Sequence, residues 1–328
     1  MDTDNITASE PSRDDLVGRK VRTAYLVIYC VIIVVGMVGN GLVIYVTGFR
    51  MKRTVNSIWF LNLALADFLF TAFLIFYTIS VYQDYYWPFG LFMCKLNSFV
   101  YQVNMFASVF LLMAISLDRC LCTCAVVWAR NNRTVCKAQL VSVAIWLMAM
   151  VCGIPYATFR KLLERNRVTY CVYSGDITQK LIFVIFRSIM AFLIPFLVIT
   201  ASYVAIVVRT RRLQSARKQR SRRIIISVIL AFFLCWFPFH VFRFLEFSKP
   251  QLVYIIVTGS PLAVSLAFLN SCLNPILYVF MCDEFQKKLK QSIFLVFESA
   301  LAEDRDTSQK SDSAVPVQSS GTVTSRHN

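Results

Sequence analysis

Apolar residues gather along this chain into seven long runs separated by short polar segments: 21–49, 56–83, 92–124, 138–158, 181–208, 224–247 and 252–281. A helix needs about 20 apolar residues to cross a bilayer core, so each run is long enough to span. The pattern predicts seven helices packed as a membrane bundle, an all-α architecture. Pro155, Pro195, Pro238 and Pro275 fall inside runs. A mid-helix proline costs about 3 kcal/mol in water, but neighbouring helices in a membrane re-satisfy the freed carbonyl, so these positions predict kinks that serve as hinges. The third run closes on Asp118-Arg119. Charge at a helix end in lipid is costly, and two readings stay open: a pair reaching out to water, or a switch.

Charge supplies the orientation. Arg50, Lys52 and Arg53, then Arg130, Arg133 and Lys137, then the basic stretch 209–223, occupy alternate loops, and Lys287, Lys288 and Lys290 follow the seventh run. The positive-inside rule places this set in the cytoplasm and the N-terminus outside. The intervening loops mix Asp84, Glu164, Asp176 and Glu246 with Arg160, Lys161, Arg165, Arg167 and Lys249. A net charge of +16 would fit nucleic-acid binding in a soluble protein, but 57% apolar residues and basic residues clustered in the short segments between runs fit membrane orientation better. Residues 1–20 read as an extracellular tail with a glycosylation sequon at Asn5, and 21–281 as the bundle. Residues 282–298 pair a helical apolar period with lysines, which predicts a short amphipathic helix on the membrane surface. The remainder, 299–328, reads as a disordered cytoplasmic tail. It offers Thr307, Ser308, Ser311, Ser313, Ser319 and Ser320 to kinases, followed by Thr322, Thr324 and Ser325.

Within the runs a few polar residues stand out. Asp67 is the one acid at mid-depth, and Asn104, Ser108, Asn270 and Asn274 can face it from neighbouring helices. A buried carboxylate needs such partners. The set reads either as a neutral hydrogen-bonded Asp or as a cation pocket. Cys94 and Cys171 both fall on the oxidising side, where a disulfide persists, and 167–173 alternates like a strand. Their bond would pin that strand over the bundle. Cys120, Cys122 and Cys124 face a reducing compartment with no nearby His, which argues against a metal site.

Taken together, Gly39-Asn40, Asp67, Cys94, Asp118-Arg119-Cys120, Trp146, Tyr203, Cys235-Trp236 with Pro238, and Asn274-Pro275 with Tyr278 resemble the rhodopsin-like G-protein-coupled receptors. Trp87-Pro88-Phe89-Gly90, Trp128 followed by Asn132-Arg133-Thr134, and Asn270-Ser271-Cys272-Leu273 are similar to the chemoattractant peptide branch, which includes formyl-peptide, chemerin and complement anaphylatoxin receptors. The resemblance implies an outer ligand pocket and an inner cleft for a heterotrimeric G protein of the inhibitory class, with arrestin and receptor kinases as further partners. It implies that Asp118 holds Arg119 at rest. Trp236 and Pro238 then form the pivot of the sixth helix, and Tyr203 and Tyr278, beside Asn274 and Pro275, are switch residues. It also implies a sodium ion at Asp67, Asn104, Ser108, Asn270 and Asn274 as allosteric modulator, and no other cofactor.

For the ligand, Arg187 sits in an otherwise apolar run and cannot face lipid cheaply, so it points inward. Arg243, His240 and Gln102 converge on the same space. Trp236 floors it, and Tyr101, Met105 and Phe244 wall it. Lys180, Arg160 and Lys161 line the entrance. An apolar pocket with a few cations suits a peptide or small ligand carrying a buried anion. Pairing of Arg187 with Glu246 is the competing expectation. Formyl-peptide receptors carry an Asp at Gln102 and a second Arg at Phe183, so formyl-peptide specificity is not expected. No lysine stands in 252–281 to hold retinal, no acid stands at Tyr101 or Gln102 to bind an amine, and Asp67 has no partner acid for proteolysis. A surface scavenger that internalises ligand without activating G protein is the alternative function.

Overall fold

The structure, a computed structural model, describes residues 13–210, 216–248, 253–281 and 291. Nine α-helices are described, α1 (Arg13–Tyr45), α2 (Val55–Tyr82), α3 (Gly90–Cys124), α4 (Val126–Asn132), α5 (Val135–Thr158), α6 (Ile177–Ser188), α7 (Ile194–Thr210), α8 (Ala216–Ser248) and α9 (Val253–Met281), with a hairpin of β1 (Arg160–Arg165) and β2 (Val168–Tyr173) between α5 and α6. Helices α6 and α7 form one span through a π-helical turn, Ile189–Leu193, so the helices make seven crossings joined by short loops. Six stretches among the described residues are long and apolar enough to cross a membrane, and α9, at 29 residues, completes the seven. The helices lie within a few residues of the runs expected from sequence. The exceptions are α1, which begins at Arg13, and α8, which extends back to Ala216.

Local chemistry sets the ends. Thr54 and Ser57 cap α2 reciprocally, with backbone-to-hydroxyl bonds of 2.8 and 3.2 Å. The Lys137 N–H donates to Thr134 Oγ1 at the start of α5, and the Gln179 N–H to Asp176 Oδ1 at the start of α6. Pro195 follows directly on the π-helical turn, whose wider loop removes the clash that a proline ring makes with the preceding turn. The short α4, part of a loop in the sequence reading, ends at Arg133, and Thr134 then caps α5.

At the centre stands α3, buried on every side from Gln102 to Val109 and packed against α2, α5 and α7. A helix buried all round belongs in the middle of a bundle. Helix α3 contributes Phe106 and Met105 to the largest buried side chains, with Phe232, Phe239 and Leu63 from other helices. By contrast, α1 presents Val27, Val31, Val34 and Val38 to the outside, each more than half exposed, as a lipid-facing stripe does. At Gly36, α1 and α2 approach so closely that an added Cβ would meet Thr71 Cγ2 at 2.4 Å. The next turn of α1 is tied to α9 by Asn40 Nδ2, which donates to the Ser271 carbonyl at 3.0 Å.

The hairpin covers the outer end. Its strands pair antiparallel from Arg160↔Tyr173 to Arg165↔Val168. Asn166 and Arg167 close it, both at positive φ, the backbone a two-residue hairpin turn demands. Cys171 is disulfide-bonded to Cys94 at the outer end of α3, and the Trp87 N–H donates to the Thr169 carbonyl at 2.8 Å. The strand expected at 167–173 is therefore present, pinned as expected and paired with β1. The sequon at Asn5, the amphipathic segment 282–298, the tail 299–328 with Thr307, Ser308, Ser311, Ser313, Ser319 and Ser320, and the Tyr278 side chain lie outside the described residues.

Candidate functional site

Two polar sites occupy opposite ends of α3, with a third between them. The outer one is a cavity of about 600 Å³ whose lining includes Tyr101, Gln102, Arg160, Lys180, Arg187, Arg243 and Glu246. Among the described residues Glu246 is the only carboxylate lining it, and Arg243 already holds it at 2.8 and 3.1 Å. That corrects the competing expectation for Arg187: Glu246 sits one turn along the same helix from Arg243 and is captured there. Among the described residues no carboxylate lies within 4 Å of Arg187, which is 7% exposed. Its guanidinium instead lies 4.7 Å from the Phe239 ring centroid, with Arg243 5.3 Å from the same ring. Two cations over one aromatic face are partly stabilised by its quadrupole but still repel each other. Arg160, expected at the entrance, is drawn into the lining by β1, with its Nε buried and unpaired. Burial pushes its pKa down, and the charge of Arg243 adds to the effect. The Gln102 Oε1 and Tyr173 Oη atoms are likewise buried without a partner.

Four residues expected around the ligand are placed otherwise. Met105, Trp236 and His240 are buried in the packed core rather than on the cavity, and Phe244 is 39% exposed and off the lining. One turn of helix decides this: on α8 it is Phe239 and Arg243 that face the cavity, so their neighbours turn away. His240 Nδ1 meets Ser188 Oγ at 3.0 Å. The Trp236 and Phe239 rings meet edge to face at 5.8 Å, so Trp236 touches the cavity arginines through one intervening ring. Tyr77, Tyr156 and Tyr170 also line the cavity and were not singled out from sequence; tyrosines in apolar runs carry no directional signal.

Midway down the bundle lies Asp67, fully buried. Asn104 Nδ2 donates to its Oδ1 at 3.3 Å, Ser108 Oγ to the same oxygen at 3.2 Å, and Asn274 Nδ2 to its Oδ2 at 2.6 Å. Ser271 adds a further side-chain bond. The expectation for Asn270 is corrected: it is buried, but among the described residues Ser271, its neighbour on α9, reaches the carboxylate instead.

At the inner end, the expected ion pair of Asp118 with Arg119 is present but long, and a second arginine grips the carboxylate more closely. Asp118 is held by Arg133, whose Nε and Nη2 donate to the two carboxylate oxygens at 2.7 and 3.0 Å. Arg119 Nη2 stands 3.8 Å from Asp118 Oδ2 and hydrogen-bonds Asn56 Oδ1. Arg133 Nη2 donates to that same amide oxygen. The physical reason is geometry: Arg133 approaches along the carboxylate plane as a two-pronged donor, whereas adjacent helical residues such as Asp118 and Arg119 point apart. Burial works against the Arg133 charge, but Asp118 outweighs it and raises the pKa above its ordinary value. Tyr203 is half-buried on α7, and Pro238 and Pro275 lie inside α8 and α9.

Residues 39–278 match the family described as 7 transmembrane receptor (rhodopsin family). The chain belongs to that receptor family. It is 39% identical to chemerin-like receptor 1 of Sus scrofa, over 92% of this chain and 88% of that one. It is 39% identical to the C3a anaphylatoxin chemotactic receptor of Danio rerio, over 92% of this chain and 83% of that one. Against N-formyl peptide receptor 3 of Pongo pygmaeus the identity is 40%, with 88% of each chain covered. The similarity to the chemoattractant branch expected from the motifs is thus shown. The protein is a multi-pass plasma-membrane receptor of a family that is not enzymatic.

Proposed function

We propose that this receptor binds a peptide or small anionic chemoattractant from outside the cell and signals through heterotrimeric G proteins of the inhibitory class and through arrestin. One observation carries the ligand class: Arg160, Arg187, Arg243 and Lys180 line one cavity whose single carboxylate among the described residues is already paired. Among the described residues no further carboxylate lines the cavity, and a ligand carboxylate fits a guanidinium fork. The apolar and tyrosine walls suit hydrophobic side chains leading down to it. The relatives named for chemerin, C3a and N-formyl peptides support a chemotactic role, and the basic loops support an outward N-terminus.

Signalling follows from the ring contacts. An anion drawn to Arg187 and Arg243 shifts both guanidiniums on Phe239, and Phe239 bears on Trp236 two residues before Pro238 within α8. Tilting of α8 there opens the inner end toward Arg119, with Tyr203, Asn274, Pro275 and Tyr278 moving with it. The oxygens of Asp67 and Ser108 and the amide groups of Asn104 and Asn274 suit a hard cation, and a sodium ion held there favours the resting arrangement.

The test is a panel of hydrophobic peptides with free or amidated C-termini, scored in cells for binding, G-protein activation, arrestin recruitment and uptake. Saturable binding of the acidic members with G-protein activation is expected. Uptake without activation by any binding member would establish the scavenger function instead, and absence of preference for anionic ligands would overturn the ligand class.

A further inference from the structure

Asp118, Arg119, Arg133 and Asn56 form a cluster that a simple Asp–Arg pair does not describe. Both prongs of Arg133 are on the Asp118 carboxylate, at 2.7 and 3.0 Å, while Arg119 stays 3.8 Å away. The Arg133 backbone is fixed on both sides. Its N–H donates to the Ala129 carbonyl at 3.0 Å, closing α4, and the next residue, Thr134, caps α5. The side chain is thus delivered to the end of α3 from a rigid corner and loses little freedom in binding there. The two like-charged guanidiniums share one neutral acceptor, Asn56 Oδ1 at the start of α2. Three elements therefore meet in a cluster whose carboxylate is gripped more closely by Arg133 than by Arg119.

We propose that Arg133 is a positioning residue for Arg119. By occupying Asp118 at rest it keeps Arg119 at the long end of ion-pair range from that carboxylate, so that removing Arg133 tightens the Arg119–Asp118 pair instead of loosening it. With Arg133 gone, a shift of about 1 Å brings Arg119 Nη2 within ordinary hydrogen-bond range of Asp118, and the repelling neighbour charge disappears. A latch made of Arg119 and Asp118 alone predicts no effect of Arg133, and a latch made of Arg133 itself predicts activation when it is lost. The proposal has the opposite sign from the second and differs from both. Its signalling consequence rests on the G-protein coupling proposed above.

The experiment uses purified full-length receptor in lipid nanodiscs: wild type, Arg133→Ala, Arg133→Lys, Asp118→Asn and Arg133→Ala/Asp118→Asn. Two readouts are taken without ligand. One is nucleotide exchange on G protein. The other, with no G protein present, is the rate at which phenylglyoxal modifies Arg119, read by peptide mass spectrometry. Arg133→Ala is expected to slow both about fivefold, equivalent to about 1 kcal/mol. Arg133→Lys, which keeps the charge but loses the fork, should fall between. In the Asp118→Asn background the Arg133→Ala decrease should vanish, because no carboxylate remains for Arg119 to take. Unchanged or faster modification of Arg119 in Arg133→Ala overturns the proposal, as does a decrease that persists without Asp118. If wild type drives no exchange with any G protein, the coupling falls, and the modification rates still decide the role of Arg133.

Discussion

The two ends of α3 use the same side chain in opposite ways. At the outer end, Arg187 and Arg243 lie over one phenylalanine ring, Arg160 is half-buried with an unpaired Nε, and a cavity of about 600 Å³ stands beside them. At the inner end, Arg119 and Arg133 find a carboxylate and an amide oxygen within reach. Of the outer arginines, Arg243 keeps Glu246, while among the described residues Arg187 and Arg160 have no carboxylate within 4 Å; a fold that the disulfide and hairpin close places them there. The inner ones are held by one another's partners. A site poised for a ligand leaves charge uncompensated where the ligand will arrive; a site poised to switch compensates its charge in a way that can be exchanged for another. The contrast says which end should be sensitive to loss of a cation and which to loss of an acceptor.

The largest effect should come from removing an outer cation. Truncating one partner of a buried charged contact costs about 2–5 kcal/mol, or about 30-fold and upward in affinity. Arg187→Ala should weaken a carboxylate-terminated peptide by that much, measured by equilibrium binding. Amidating the peptide should weaken wild type equally and add nothing in the mutant. Independent, additive losses would show that Arg187 does not meet the anion, and the outer half of the comparison would fail. Next in size is the closure. Cys171→Ser removes the bond to Cys94 across a separation of 77 residues, and native disulfides of this kind contribute about 2–4 kcal/mol. The melting temperature should drop and ligand affinity should fall, while ligand-free nucleotide exchange stays near wild type, because the inner cluster does not touch the hairpin. Equal damage to both readouts would mean the two ends are not separable.

How much of this was legible in the sequence follows the same division. The seven crossings were, because a run of about 20 apolar residues has few other uses. So were the strand at 168–173 and its disulfide, and three of the four side chains on Asp67, since polar residues inside apolar runs must find each other. What could not be read was direction. On α3 every face from Gln102 to Val109 is buried, so no period shows that Gln102 meets the cavity and Met105 does not. On α8 the choice among Trp236, Phe239, His240 and Arg243 turns on the helix's rotation, which its two broadly apolar faces leave open. Ser271 and Asn270 differ by one residue and 100° in the same way. The inner cluster was the hardest, because Asn56 lies 77 positions before Arg133 and nothing in either local stretch marks the other.

Between the ends, Asp67 offers a smaller test of whether they communicate. Coupling between two sites in one protein is typically about 1–3 kcal/mol. If sodium binds at Asp67 in the resting arrangement, agonist affinity in wild-type membranes should fall as sodium replaces a large organic cation. Asp67→Asn should flatten that dependence. An affinity indifferent to sodium in wild type would leave Asp67 as a hydrogen-bonded anchor for Asn104, Ser108 and Asn274 and nothing more.

The smallest effect, and the one most specific to the comparison, is at Asn56. Its Oδ1 accepts from both Arg119 and Arg133, and both arginine side chains are about a quarter exposed, so water can replace much of what is lost. A hydrogen bond in such a setting contributes about 0.5–1.5 kcal/mol. Asn56→Ala should therefore release Arg119 and raise ligand-free nucleotide exchange by roughly twofold to tenfold, while ligand affinity at the outer end stays within error. Asn56→Asp should do the reverse. A carboxylate at the same place gives both guanidiniums a charged acceptor, strengthens the hold on Arg119 and lowers exchange. Asn56→Asp is nearly isosteric and Asn56→Ala removes the carboxamide, yet both remove the amide and should have opposite signs, which a merely structural Asn56 would not produce. If both raise exchange, or neither does, the amide is packing at the start of α2. The inner arginines would then take their hold in this cluster from Asp118, and the shared amide would have no part in the switch.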